Sequence, residues 1–262
     1  IDHGSYLNDL AQQPDGNIVA VGRLFSAPAQ SDAIVLRFDT HGTLDPLFGN
    51  GGILIELSRN YGATHILPSG KILVAGTSNT VYPEPADAII QRLLPNGALD
   101  PTFGEGGSVV LGIADQTPQH LETITDLALD AEGRIVFTGV DCDLPDPSQG
   151  CFDTIITGRV LQDGLPDITY GTQGLKRIPY TVDGTPSVDG GAHLEVLEDG
   201  TWLVFSRLGR IVQLDSTGTP VPSFAQAGWY DTSHLFGIDN SPTGGIRTSD
   251  GRLYIAGNNG FS

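Results

Sequence analysis

The 262 residues carry 31 acidic against 13 basic side chains, a formal net charge of −18, with 35 glycines, 17 prolines and no methionine. So acidic a chain repels phosphate backbones and anionic headgroups, which argues against nucleic acid as a partner. No window is apolar for long enough to span a bilayer, and the length suits one large all-β domain rich in tight turns.

In chain order, the first segment reads as four short strands: Asn8 to the turn Asp15-Gly16, Asn17–Val21, Ala33–Phe38 and Ile53–Leu57. Each is a run of Val, Ile and Leu bounded by turn residues. The pattern then recurs as Ala63–Gly70, Lys71–Ala75, Ala88–Leu93 and Ser108–Leu111, and as Asp126–Gly133, Arg134–Thr138, Thr154–Val160 and Leu175–Ile178. A fourth copy gives Ala192–Gly200, Thr201–Phe205, Arg210–Leu214 and Gly228–Asp231, and a fifth only Gly244–Gly251 and Arg252–Ala256. The hairpin anchors Gly16, Gly70, Gly133, Gly200 and Gly251 fall 51 to 67 residues apart. Repeats of this kind bury their faces on one another. Four antiparallel strands per unit, set radially, make a β-propeller blade.

The reading is therefore a single all-β domain over 1–262, a five-bladed propeller with blades near 5–57, 63–111, 124–178, 192–231 and 244–262. Ile1-Asp2-His3 supplies the last outer strand, so that the fifth blade is shared by the two termini or left incomplete. A larger ring is the competing reading. With no methionine and Ile at position 1, an N-terminal segment is expected to precede the chain, and a signal peptide would fit.

A longer element follows each third strand: His41-Gly-Thr-Leu-Asp-Pro-Leu-Phe-Gly-Asn-Gly-Gly52, Asn96-Gly-Ala-Leu-Asp-Pro-Thr-Phe-Gly-Glu-Gly-Gly107, and Asp163-Gly-Leu-Pro-Asp-Ile-Thr-Tyr-Gly-Thr-Gln-Gly174. The fourth, Thr217 to Gly228, lacks the Asp. Its aromatic (Phe48, Phe103, Tyr170, Phe224) is expected to fill the gap between blades, and Asp45, Asp100 and Asp167 to hold the turn. Recurrence in successive units favours scaffold over a ligand motif. The element, with the upstream Asp-Gly hairpin and a third strand ending in Arg37, Arg92 or Arg159, resembles the delta-60 repeat family. Copy three departs at Pro166 and Ile168, and copy four has Gln213 near the Arg position. The resemblance implies a β-propeller, usually in exported or surface-attached bacterial proteins, and transfers no catalytic residue.

Cys142 and Cys151 flank one short Pro- and Gly-containing loop, too few thiols for a structural zinc site, and are read as a disulfide. That pairing implies an oxidising compartment: extracellular, cell-surface or periplasmic.

In a propeller the first strand lines the central channel, and the second-to-third and blade-to-blade connections share a rim. Those connections vary in length here, as a recognition surface does. Aligning first strands on the hairpin glycine places Asp9, Ala63, Asp126 and His193 at one position, and Ala11, His65, Ala128 and Glu195 two residues on. Asp9, His65, Asp126, His193 and Glu195 are thus expected near the channel mouth, where carboxylates could bind Ca2+, grip sugar hydroxyls or divide into acid and base; the alternative is that they only hydrate the channel. Tyr61, Tyr82, Tyr180, Tyr230 and Phe236 fall near the same rim, suited to stacking on carbohydrate or cationic peptide or to packing loop bases. His3, His120 and His234 lack metal-ligand spacing. No nucleophile elbow, phosphate loop or zinc-protease motif occurs. The first functional reading is a non-enzymatic binding or structural module without a resident cofactor, taking a protein or carbohydrate ligand at the rim. The alternatives are a glycoside-hydrolase-like enzyme using Asp9, Asp126 and Glu195, and an assembly or homo-oligomer subunit whose last blade accepts a neighbour's strand.

Overall fold

The computed structural model describes residues 4–27, 30–79, 85–112, 120–143, 152–182, 185–187, 189–232, 241–248 and 252–258. Among them every regular element is a strand. The first sheet orders β1 (Ser5–Gln12), β2 (Ile18–Ala27), β3 (Gln30–Phe38) and β4 (Ile53–Glu56) side by side. The second holds β5 (Asn60–Ile66), β6 (Ile72–Thr77), β7 (Ala88–Leu93) and β8 (Ser108–Leu111), and the third β9 (His120–Leu129), β10 (Ile135–Asp143), β11 (Phe152–Val160) and β12 (Leu175–Ile178). Then come a small hairpin, β13 (Tyr180–Val182) with β14 (Thr185–Ser187), and the fourth sheet, β15 (Gly191–Val196), β16 (Trp202–Ser206), β17 (Arg210–Leu214) and β18 (Trp229–Asp231). β19 (Ser241–Arg247) and β20 (Leu253–Asn258) pair as a two-stranded sheet.

Four complete four-stranded antiparallel sheets thus stand where five blades were expected, with the fifth copy contributing one hairpin among the described residues. Residues 1–3, assigned to its outer strand, lie outside the described residues. The segment after β12, read as a bare connection, folds in part into the β13–β14 hairpin.

Strand position explains the composition. β6 and β7 are buried along their whole length. Both faces of these middle strands are covered, so they read as continuous apolar runs instead of alternating ones. The turn from first to second strand repeats: Gly16, Gly70, Gly133 and Gly200 donate to the carbonyls of Gln13, Leu67, Asp130 and Leu197, three residues back. Only the glycine of each turn has positive φ, 74° to 89°. This is a three-residue hairpin, a type I turn plus a left-handed residue, which is why glycine recurs there.

The chain divides into two compact units, Ile1–Thr125 with Gln162–Pro166, and Asp126–Leu161 with Asp167–Ser262. In the first, Val19, Val21, Ala33, Val35 and Phe48 of the first sheet and its loop pack against Tyr61, Ile72, Val74 and Leu93 of the second. In the other, Val136, Ile155 and Tyr170 pack against Leu194, Trp202, Val204 and Val212, with Tyr170 stacked on Trp202 at 5.3 Å between ring centroids. Phe48, Phe103 and Tyr170 are wholly buried, as expected of plugs between sheets; each such ring contributes about 1.5–3 kcal/mol.

A latch backs each plug. The guanidinium of Arg37, Arg92 or Arg159 lies 4.6 to 5.1 Å from the ring centroid. It pairs with the loop Asp: Arg37–Asp45 at 2.8 Å, Arg92–Asp100 at 2.6 Å and Arg159–Asp167 at 2.7 Å. The second carboxylate oxygen accepts the amide of Leu47, Thr102 or Thr169. The Nη1 group then reaches a backbone carbonyl of the next copy: Pro95 from Arg37, Gln162 from Arg92 at 2.6 Å and Ser216 from Arg159 at 2.7 Å. Burial favours the neutral acid at Asp100, but hydrogen bonds from Lys71, Thr102 and Arg92 outweigh it and hold the carboxyl below its ordinary range. Asp167 is lowered in the same way by Thr169 and Arg159.

Candidate functional site

The first strand of each sheet lies at the sheet's edge, so half of its backbone groups have no strand partner. In the first, second and fourth sheets it also carries a bulge: register slips between Leu7 and Asp9, Tyr61 and Ala63, and Gly191 and His193. The position after the slip is the one that alignment singled out, and the structure shows what its carboxylates do.

In the first unit, Asp9 accepts the Leu10 amide at 2.7 Å on one oxygen and the Thr64 amide at 2.8 Å on the other. Asn8, which the sequence reading passed over, donates to the Tyr61 carbonyl at 2.7 Å. In the second unit, Asp126 repeats the arrangement one for one. Its Oδ1 accepts the Leu127 amide and its Oδ2 the Leu194 amide, both at 2.8 Å. Asp126 Oδ2 also lies 2.5 Å from Nδ1 of His193, whose ring sits 5.4 Å from that of Phe205. Thr64 and Leu194 are themselves buried. Their edge amides would be costly to leave without an acceptor, and the aspartates supply one.

Of the five nominated polar residues, Asp9 and His65 therefore lie in the first unit and Asp126, His193 and Glu195 in the second. Asp126 and His193 are brought into contact. His65 and Glu195 sit half-buried on β5 and β15. Tyr61, expected among the rim aromatics, is buried in the core with its hydroxyl on Gln91, and burial pushes its phenol upward. Tyr230 is 36% exposed on β18. Tyr82, Phe236, His3 and His234 lie outside the described residues, as does Cys151; Cys142 is buried on β10. Among the described residues no group of three or more His, Cys, Asp or Glu side chains is placed to hold a metal ion. No helix among them is long and apolar enough to cross a membrane.

A cleft of about 420 Å3 opens in the second unit at the hairpin end of the strands, lined by Asp130, Glu132, Arg134, Arg159, Asp199 and Trp202 among others. Alignment of first strands pointed toward the other strand end, so it missed this cleft. Its two arginines are already matched: Arg134 bonds Asp130 at 2.6 Å and Glu132 at 2.7 Å, and Arg159 bonds Asp167. Burial opposes the charge on Arg134, but Asp130, Glu132 and Asp167 outweigh it and raise its pKa.

Two stretches, residues 13–48 and 67–103, match the family described as domain of unknown function (DUF5122) beta-propeller. Each runs from the first hairpin turn to the plug aromatic or its neighbourhood. Those two repeats are similar to β-propeller repeats. No curated protein matches the chain. Among solved structures, a protein of unknown function from Bacteroides caccae is similar over 96% of this chain and 70% of its own, at 14% identity and a TM-score of 0.54. PorZ, a surface component of the type-IX secretion system of Porphyromonas gingivalis, aligns over 95% of this chain at 12% identity and a TM-score of 0.47, and a GH43_12 protein from a capybara gut metagenome over 83% at 12% and 0.39. The chain spans only 30% and 38% of those two.

Proposed function

We propose that the protein is a non-enzymatic β-propeller module, exported from a bacterial cell, that binds a protein or carbohydrate through the connections between its strands or serves as a part of an assembly. The observation that carries this reading is the use to which Asp9 and Asp126 are put. Each has both carboxylate oxygens on backbone amides, and Asp126 adds a histidine. A general acid or a glycoside nucleophile has to present a lone pair or a proton to substrate. These two groups instead fasten one first strand to the next. The carbohydrate-active alternative, which needs them with Glu195, draws no support from that arrangement.

Purified protein is expected to leave a panel of plant and bacterial polysaccharides unhydrolysed, while Asp126→Asn lowers its stability by about 1–2 kcal/mol. Turnover that disappears in a folded Asp126→Asn variant would reject the reading. The repeats are taken as delta-60 repeats, and the β19–β20 hairpin as the first half of a fifth blade in one domain. Export rests on the proposed Cys142–Cys151 disulfide. Alkylation followed by intact mass should modify the two thiols only after reduction; modification of the native, unreduced protein would remove this support.

A further inference from the structure

The cleft at the hairpin end of the second unit occupies a place that the first unit finishes differently. There Gln13 is buried across the turn, with its Nε2 3.5 Å from the Gly70 carbonyl oxygen. The β-position of Gly70 meets the Pro95 ring at 3.9 Å. The equivalent residues in the second unit are Asp130, Gly200 and Ser216. Asp130 is drawn back onto Arg134 and the Glu132 amide. Ser216 is exposed, and nothing stands within 4 Å of the β-position of Gly200. These exchanges leave open the cleft of about 420 Å3, a size that suits a small-molecule ligand.

The second strand differs as well. Where β2, β6 and β10 begin with Ile18, Ile72 and Ile135, β16 begins with Trp202. Trp202 is 1% exposed, with its ring stacked on Tyr170. Its indole nitrogen has no acceptor among the described residues, yet it is not among the atoms sealed from solvent. The sliver of this side chain that stays open therefore includes the N–H edge, and Trp202 lines the cleft. A donor on so deeply buried a side chain, left without an acceptor, is uncommon.

The other polar groups define what such a donor can meet. Asp130, Glu132 and Asp199 bring carboxylates, and Arg134 and Arg159 bring guanidinium groups held in ion pairs. A cation is opposed by the arginines and the indole donor, and an anion by the carboxylates. A neutral hydroxyl both donates and accepts, so it suits every part of this lining. We propose that the cleft binds a sugar residue, one of whose oxygens accepts the Trp202 N–H while neighbouring hydroxyls donate to the carboxylates. Such a site presupposes that the protein is a binding module and narrows its ligand to carbohydrate.

The chain has two tryptophans, so a proton–nitrogen correlation spectrum shows two indole resonances, assigned with Trp202→Phe. Titration with glucose, galactose, mannose or N-acetylglucosamine, or with short oligomers of each, should move the Trp202 resonance and leave that of Trp229 in place. Movement by the free sugars would make this a monosaccharide pocket, and movement by oligomers alone a site for a chain; both support the proposal. Trp202→Phe keeps a ring on Tyr170 but removes the donor, and should weaken binding about five- to tenfold in calorimetry. Ser216→Pro installs the proline that the equivalent turn holds as Pro95 and keeps the carbonyl that Arg159 uses. It should close the cleft and abolish binding with the thermal midpoint unchanged. A Trp202 resonance that no sugar moves would overturn the proposal. So would sugar binding that persists undiminished in both variants, which would place the ligand elsewhere and leave the binding-module reading standing. Movement by lysine or inorganic phosphate in place of sugar would overturn it in favour of a charged ligand. Polysaccharide hydrolysis lost in a folded Asp126→Asn variant is the separate result that would reject the binding-module reading, and the premise of this site with it.

Discussion

The third and fourth sheets close the same loop with different side chains, and the backbone hardly registers the change. Asp167, Tyr170, Gly174 and Arg159 donate to Arg159, Asp167, Tyr170 and Gly174; Val221, Phe224, Gly228 and Gln213 donate to Gln213, Val221, Phe224 and Gly228, with every distance between 2.8 and 3.1 Å. The third loop adds the Arg159–Asp167 pair and its reach to Ser216. In the fourth, Gln213 turns back onto Thr201 at 2.7 Å, and Phe224 is only half-buried beside Leu197, Leu203, Phe205 and Ile211. The loop's shape is thus set by its backbone and aromatic anchor, while the charged latch serves to attach neighbouring sheets.

The plugs should separate the two loops most. Tyr170→Ala removes a wholly buried ring stacked on Trp202 and should destabilise by about 3–5 kcal/mol, whereas Phe224→Ala should lose about 1–2 kcal/mol. Urea unfolding measures both, and equal losses would erase the distinction. Next come the latches. Arg159→Ala leaves buried Asp167 without its ion-pair partner, Arg134 acting on it only at longer range, for a loss of about 3 kcal/mol. Gln213→Ala removes one hydrogen bond between neutral groups, for about 1 kcal/mol. If Gln213→Ala proved as damaging, the polar bond would be as important as the ion pair.

Much of this scaffold was legible beforehand. β7, β8, β11, β12 and β17 begin and end within a residue or two of the apolar runs, because turns bounded by Gly, Pro and Asp punctuate them clearly. The plug aromatics and turn aspartates were legible because they recur. What Arg37 and Arg159 hold was not: their carbonyl partners are 58 and 57 residues away, and nothing local in the sequence marks such a contact. Alignment found Asp9 and Asp126 but not their role, since the amides they accept, those of Thr64 and Leu194, are 55 and 68 residues away. Tyr61 was misplaced because strand alternation near a bulge does not tell which face a side chain takes.

Acid should act on the same contrast. Asp167 is held ionised below its ordinary pKa, so its contribution to stability is complete above the unfolded value of about 4 and is lost as pH falls through the lowered folded value. Asp100 behaves alike in the first unit. Asp167→Asn should therefore flatten the decline in the unfolding midpoint below about pH 4 while reducing stability at neutral pH. The fourth loop has Val221 at the equivalent position, so Val221→Asn should leave the acid limb unchanged. An Asp167→Asn protein with a wild-type acid limb would show that other carboxylates, Asp215 among them, govern the decline.

The smallest effect tests the fourth loop's backbone. Ala225 has a φ of 46°, where Gly49, Gly104 and Gly171 stand in the other loops at 51° to 54°. Two terms oppose each other on replacing that alanine by glycine. Relief of the left-handed conformation is worth about 1–2 kcal/mol, and the greater freedom of glycine in the unfolded chain takes back about 0.5–1 kcal/mol. Ala225→Gly should thus stabilise by about 0.5–1 kcal/mol in urea unfolding, whereas Gly171→Ala should destabilise, since a β-carbon there would stand 2.0 Å from the Leu175 carbonyl oxygen. A destabilising Ala225→Gly would mean that the alanine methyl makes packing contacts which outweigh the strain, and that the fourth loop has been rebuilt around its new residues instead of retaining its neighbours' geometry at some cost.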